Sequence, residues 1–211
     1  MWPDSSQTQE LLVRAGGGDS TAIDALLERH RAALRRMIEM RMDRLLERRV
    51  DASDIVQDVL IDANRRLPGY LEEPKLPFHL WLRQMARDKL LDAHRRHRRA
   101  ARRSIDREQQ LGVAFADQSA MDLAALVRDR ELTPAAAAAR HELQERFQEA
   151  IALLEEGDRE VILMRHFEQL SNQEVAESLG VTQPAAGMRY LRALRRLRGL
   201  LDVSPSGESL A

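Results

Sequence analysis

The chain has 211 residues, of which 44% are hydrophobic, 32% charged and only 4% aromatic; it carries a formal net charge of −1 and no cysteine. That length allows one large domain or two small ones, and the missing cysteines exclude a disulfide framework, a thiolate metal site and a cysteine nucleophile. No apolar run approaches the roughly 20 residues of a membrane span, and the opening "MWPDSSQTQELL" lacks the basic leader and apolar stretch of a secretory signal, so a cytoplasmic protein with no membrane partner is expected.

Leu and Ala supply most of the apolar mass, and both favour helix. "GGG" at 16–18 separates a short first helix from a second, capped by Asp19 or Ser20, in which Ile23, Leu26, Leu27, His30, Leu34, Met37 and Ile38 recur at helical spacing. A third boundary falls near Val50. Asp51 is placed to cap, Asp54 sits at the third helical position, and Ile55, Val56, Val59, Leu60, Ala63 and Leu67 form one stripe. Acids in a first turn suit the positive end of the helix dipole. "PGYLEEPKLPF" (68–78) holds three prolines and a glycine and is expected to break the helix. A long amphipathic helix resumes near Phe78, with Trp81, Leu82, Met85, Ala86, Leu90 and Ala93 inward and Arg83, Arg87 and Lys89 pointing elsewhere, and it runs out into "HRRHRRAARR".

Residues 103–133 lose periodicity and read as a flexible linker. Thr133-Pro134 offers a helix start, continued by Leu143, Phe147, Ile151 and Leu154. Gly157 is expected to end that helix and Asp158 to cap the next. No strand pattern occurs. The fold class is therefore all-α: an N-terminal helical bundle (1–102), the linker, a C-terminal helical domain (134–203) and a disordered tail (204–211).

The C-terminal domain holds "SNQEVAESLGVTQPAAGMRYLRALRRLR" (171–198). Ser171 and Glu174 form the S-x-x-E pattern of a capping box. Gly180 is placed to end the helix in a left-handed conformation, Val181 to act as a buried pivot and Thr182 to cap a second helix. Pro184 then falls at its second position, where no intrahelical N–H is lost. Two helices joined by a short Gly turn make a helix-turn-helix. Its second helix would present Gln183, Ala185, Gly187, Met188 and Arg189 to base edges and Arg192, Arg195 and Arg196 to phosphates, with Tyr190, Leu191, Leu194 and Leu197 holding it to its neighbours.

Local charge supports a polyanionic partner. Residues 83–107 carry ten Arg/Lys against three acids, and 183–198 carry five Arg and no acid, whereas 117–160 carry eleven acids against five Arg. A solvated arginine face on a bundle helix is the plainer reading of a charge run alone; the capping box, Gly turn and second cap in register favour DNA. The acidic middle could also mask the two basic blocks until the domains separate.

The order of three segments, "DASDIVQDVLIDANRRL" (51–67), "FHLWLRQMARDKLLDAHRRHRR" (78–99) and "LLEEGDREVILMRHFEQLSNQEVAESLGVTQPAAGMRYLRALRRLRGLL" (153–201), resembles the extracytoplasmic-function (ECF) sigma factors of bacterial RNA polymerase. The resemblance covers about residues 10–201. It implies a subunit that binds core polymerase and directs promoter recognition, melting and initiation. Its 51–67 helix, through Asp54, Gln57, Asp58 and Asp62, would dock on the clamp helices of the largest subunit, with a further contact to the flap region. The 78–99 helix would meet the promoter −10 region through His79, Arg83, Arg87, Lys89, Arg95 and Arg98, with Phe78, Trp81 and Leu82 mainly packing. The helix-turn-helix would read −35 through Gln183, Ala185, Met188, Arg189, Arg192, Arg195 and Arg196. An anti-sigma factor is a further candidate partner. Three departures from the family pattern stand out: Asp88 replaces an Asn, Leu154-Glu155 replaces a Leu-Pro, and Ala185-Ala186-Gly187-Met188-Arg189 keeps only its last residue in common with the usual recognition helix.

Other classes fit less well. His94 and His97 lie three apart on one helix near Asp88 and Asp92, but the surrounding arginines would repel a cation, so no metal, cofactor or catalytic residue is expected. A helix-turn-helix repressor or activator with an N-terminal dimerisation domain is the alternative. Such a domain has no need of ten basic residues beside a proline-rich loop.

Overall fold

The structure is a computed structural model. It describes residues 2–42, 44–105, 146–147 and 149–202, and for 44, 45 and 98–105 the backbone alone. Every element among these residues is helical. The chain divides into two compact units, Met1–Ala116 and Asp117–Ala211.

The first unit contains α1 (Ser5–Gly16), α2 (Ser20–Glu39), α3 (Arg44–Glu47), α4 (Ala52–Glu72) and α5 (Phe78–Ile105). Acidic side chains start three of them. Asp4 accepts from the Gln7 N–H, Asp19 from those of Thr21 and Ala22, and Asp51 from that of Ser53, each satisfying a donor with no intrahelical partner. Asp19 also binds Arg14 at 2.7 Å; its bonds to the Thr21 hydroxyl and to Arg14 hold its carboxyl at about 2. The core joins Leu26, Leu34, Met37 and Ile38 of α2 to Val56, Val59, Ala63 and Leu67 of α4 and Leu82 and Ala86 of α5. Each of these larger side chains is essentially removed from water, a gain of about 1.5–3 kcal/mol apiece.

The break expected at 68 comes later. α4 runs through Pro68 and Gly69 to Glu72. Proline removes only the bond to the carbonyl one turn back, and the flanking Leu67 and Tyr70 are both buried. Tyr70 packs at 4.7 Å against Trp81 and edge-on at 5.5 Å against Phe78, and its hydroxyl donates to the Leu76 carbonyl at 2.9 Å. The turn is thus confined to 73–77, and burial raises the Tyr70 pKa. At its far end α5 continues through 103–105, the first residues assigned to the linker. The rest of that linker, the Thr133-Pro134 start, most of the acidic middle (117–145) and the tail lie outside the described residues.

The second unit contains α6 (Glu156–Ile162), a π-helical turn (Leu163–Phe167), α7 (Asn172–Leu179) and α8 (Gln183–Asp202). Gly157 does not end a helix. The preceding one closes at 153, and α6 starts from Glu155, which places Gly157 and Asp158 in its first turn. Arg159 reaches back to the carbonyls of Ile151, Ala152 and Leu154 at 3.1, 2.6 and 3.0 Å. It thereby satisfies the orphan acceptors of the preceding helix. Ala150, Leu154, Ile162, Ala193 and Leu197 form the core.

Candidate nucleic-acid interface

The helix-turn-helix forms as its local signals require. The Ser171 hydroxyl accepts from the Glu174 N–H at 3.2 Å, while the Glu174 carboxylate accepts from the Ser171 N–H at 2.7 Å. Gly180 takes φ 62°, a conformation that costs a residue with a Cβ roughly 1–2 kcal/mol. The Val181 N–H then returns to the Ala176 carbonyl at 3.0 Å, closing the helix end. Val181 itself is half-buried rather than enclosed. Thr182 starts α8: its hydroxyl accepts from the Ala185 N–H at 3.4 Å.

Two further contacts fix the bearing of α8. The Asn172 amide donates to the Gln183 carbonyl at 2.9 Å, and a Cβ added to Gly187 would lie 3.6 Å from the same amide nitrogen. At the other side Tyr190 shares a 2.8 Å hydrogen bond with His166, and the Arg165 guanidinium lies 5.5 Å from the Tyr190 ring centre. Burial, and secondarily Arg165, lowers the His166 pKa. Asn172, Arg165 and His166 were not singled out from sequence. Their partners lie eleven or more positions away, beyond the reach of local patterning.

α8 is two-faced. Ala186, Ala193 and Leu197 are buried, while Met188, Arg189, Arg192 and Arg195 are exposed on the opposite stripe and Ala185 is half-buried at its start. Gln183 is exposed at the first turn, and Gly187 faces Asn172. Two expectations need correction. Leu191, expected to pack, is 46% exposed, because it lies off the buried stripe. Arg196, expected at a phosphate, is engaged by Asp158 at 2.5 Å and Glu155 at 3.0 Å, and these carboxylates raise its pKa. Arg189, Arg192 and Arg195 are left without a carboxylate partner among the described residues.

In the first unit Asp54, Gln57 and Asp58 are exposed along α4. Asp62 is not free beside them: it pairs with Lys89 of α5 at 2.6 Å, which lowers the Asp62 pKa. Sequence had sent these two residues to different partners. On α5, Arg87 is exposed, Arg95 is exposed and bound to Asp92 at 2.9 Å, and His79 is half-buried under Trp2 at 5.8 Å. Arg83 is only 2% exposed, so it does not lie on the outer face expected for it. Arg98 is described by its backbone alone. Asp88 is exposed. His97 keeps a buried Nδ1 without a partner, and no cluster of metal-ligating side chains occurs among the described residues. Nor is any described helix long and apolar enough to cross a membrane.

Comparison with known proteins agrees with this division of labour. Residues 26–100 match the family model for sigma-70 region 2, and residues 144–197 match that for sigma-70 region 4. The RNA polymerase sigma factor CnrH of Cupriavidus metallidurans is 32% identical over 193 residues, covering 91% of this chain and 93% of that protein. The ECF RNA polymerase sigma factor SigD of Mycobacterium tuberculosis is 28% identical, covering 89% and 81%. Among solved structures, CnrH in complex with the cytosolic domain of CnrY shares the fold at TM-score 0.60 and 23% identity, covering 95% of this chain and 99% of that one. RpoE from Bartonella quintana, in complex with the anti-sigma factor NepR, does so at TM-score 0.53 and 22% identity, covering 82% and 92%. With both sigma-70 regions in order and CnrH alike over nearly its whole length, the chain belongs to the ECF family of RNA polymerase sigma factors.

Proposed function

We propose a division of the sigma factor's work between its two units. A promoter-recognising subunit must hold polymerase with one surface and DNA with others. The exposed acidic edge of α4, Asp54, Gln57 and Asp58, is the polymerase-docking surface, directed at the clamp helices, and the second unit also meets the flap region. Arg87 and Arg95, with His79 and the 73–77 turn, face the −10 strands, and Arg98 extends that row. Gln183, Ala185, Met188 and Arg189 face the −35 bases, and Arg192 and Arg195 the phosphates. The 1–102 and 134–203 boundaries expected from sequence delimit these two jobs. Asp62, Lys89, Arg83 and Arg196 act inside the protein, as ties and packing.

The observation that carries this reading is the α8 stripe. Arg189, Arg192 and Arg195 stand exposed opposite Ala186, Ala193 and Leu197, in a helix-turn-helix whose entry is pinned at both ends. Phosphate contact is the use for which such a row is suited. Sigma factors are non-catalytic initiation subunits, and we assign no reaction to this chain's own side chains. It works where polymerase does, in the cytoplasm. CnrH was solved with the cytosolic domain of CnrY and RpoE with the anti-sigma factor NepR, which supports an anti-sigma partner here.

The test is reconstituted initiation. Core polymerase plus this chain should start transcripts from a subset of a promoter library. Asp58→Arg should lose co-purification with core enzyme. Arg192→Ala should keep assembly and lose promoter use. Strong duplex binding by the chain alone, with no effect on core polymerase, would instead fit a repressor.

A further inference from the structure

Met188 is the one large apolar side chain on the cationic stripe of α8, and it is 53% exposed. It stands one turn beyond Ala185, beside Arg189, and one turn before Arg192. Water gains nothing from a bare thioether, and no described side chain covers this one. The surrounding arginines specify what approaches: a polyanion. In a duplex major groove the one apolar group on a base edge is the C5-methyl of thymine, or of methylated cytosine. The register is held for such a contact. The Asn172 amide fixes the Gln183 carbonyl at 2.9 Å, and Gly187 lets α8 lie close to Asn172, so the first turns of α8, which reach bases in this motif, have a set orientation.

We infer that Met188, with Ala185, is a specificity-determining residue that reads a thymine C5-methyl in the −35 element. The inference rests on the −35 role of α8 and adds to it the base and the atom. Leu191, also exposed at 46%, sits a turn farther from the entry and makes no such contact.

The test removes the methyl alone. Holoenzyme assembled from core polymerase and the full chain is selected on a promoter library randomised at −35, prepared once with thymidine and once with deoxyuridine. The wild-type chain should enrich thymine at one or two positions. Placing deoxyuridine there should weaken open-complex formation roughly fourfold, the value of one buried methylene-sized group, and 5-methylcytosine there should outdo cytosine. Met188→Ala should abolish the thymidine–deoxyuridine difference, whereas Met188→Leu and Leu191→Ala should keep it. The inference is overturned if initiation is normal and deoxyuridine has no effect at any −35 position. It is equally overturned if Met188→Ala lowers initiation by the same factor on both templates, the result for a protein-facing methionine. No promoter-dependent initiation on any template would fell the sigma reading itself, and this inference with it.

Discussion

Asn172 and Gln183, eleven positions apart, are joined by a 2.9 Å hydrogen bond from the side-chain amide of the first to the main-chain carbonyl of the second. One side chain at the start of α7 thereby sets where α8 begins. Asn172→Ala should lower the stability of the second unit by about 1 kcal/mol and reduce promoter use beyond that loss. Asn172→Asp lacks the donor and should resemble the alanine variant. Denaturant midpoints and initiation assays on the full chain separate the two effects.

Arg196 has two carboxylate partners, at 2.5 and 3.0 Å, while Arg189, Arg192 and Arg195 have none among the described residues. Three phosphate contacts imply that −35 binding falls with log salt at a slope near roughly −3 from this helix. Arg192→Ala should make the slope shallower by about one. Arg196→Ala should leave the slope alone and show its effect in thermal stability. Salt titrations of holoenzyme on a fixed promoter read out both.

Gln169 adopts φ 58° without being glycine, and its side chain is exposed. Gln169→Gly should therefore stabilise the second unit by about 0.5–1 kcal/mol, the relieved backbone strain outweighing the added freedom of the unfolded chain. Gly180→Ala, at φ 62°, should destabilise it by about 1 kcal/mol. Equilibrium unfolding of the two variants should move in opposite directions.

His30 is 1% exposed, its Nδ1 has no partner, and it lies among Trp2 at 6.1 Å, Phe78 at 5.2 Å and the Thr8 hydroxyl at 3.4 Å. Burial, with smaller contributions from His79 and Arg29, lowers its pKa to about 4 from 6.5. The folded state refuses a proton that the unfolded chain accepts between those values. Stability is whole above about pH 6.5 and declines as pH falls toward about 4, by up to roughly 3 kcal/mol. His30→Gln, which titrates in neither state, should flatten the melting temperature across that window.

What sequence made legible was local. The Ser171–Glu174 box, the left-handed Gly180 and the Asp51 cap each involve residues a few positions apart, and each formed as expected. The failures share a cause. Pro68 continues its helix because Tyr70 meets Trp81 and Phe78 across the next turn. Arg196 leaves the phosphate row because its partners lie 38 and 41 positions earlier. Arg83 is swallowed by packing that no window of neighbours reveals. Polar residues on helices of a small bundle divide between solvent and internal ties, and only the fold decides which.

The π-helical turn at Leu163–Phe167 puts an extra residue into what would otherwise be ordinary helical winding. Its length acts as a dial: dropping a single residue there would swing everything downstream by roughly a third of a revolution. How the DNA reader is aimed on its mount is therefore written in a count of residues, and a one-codon deletion could redirect it without altering a single side chain that touches a base.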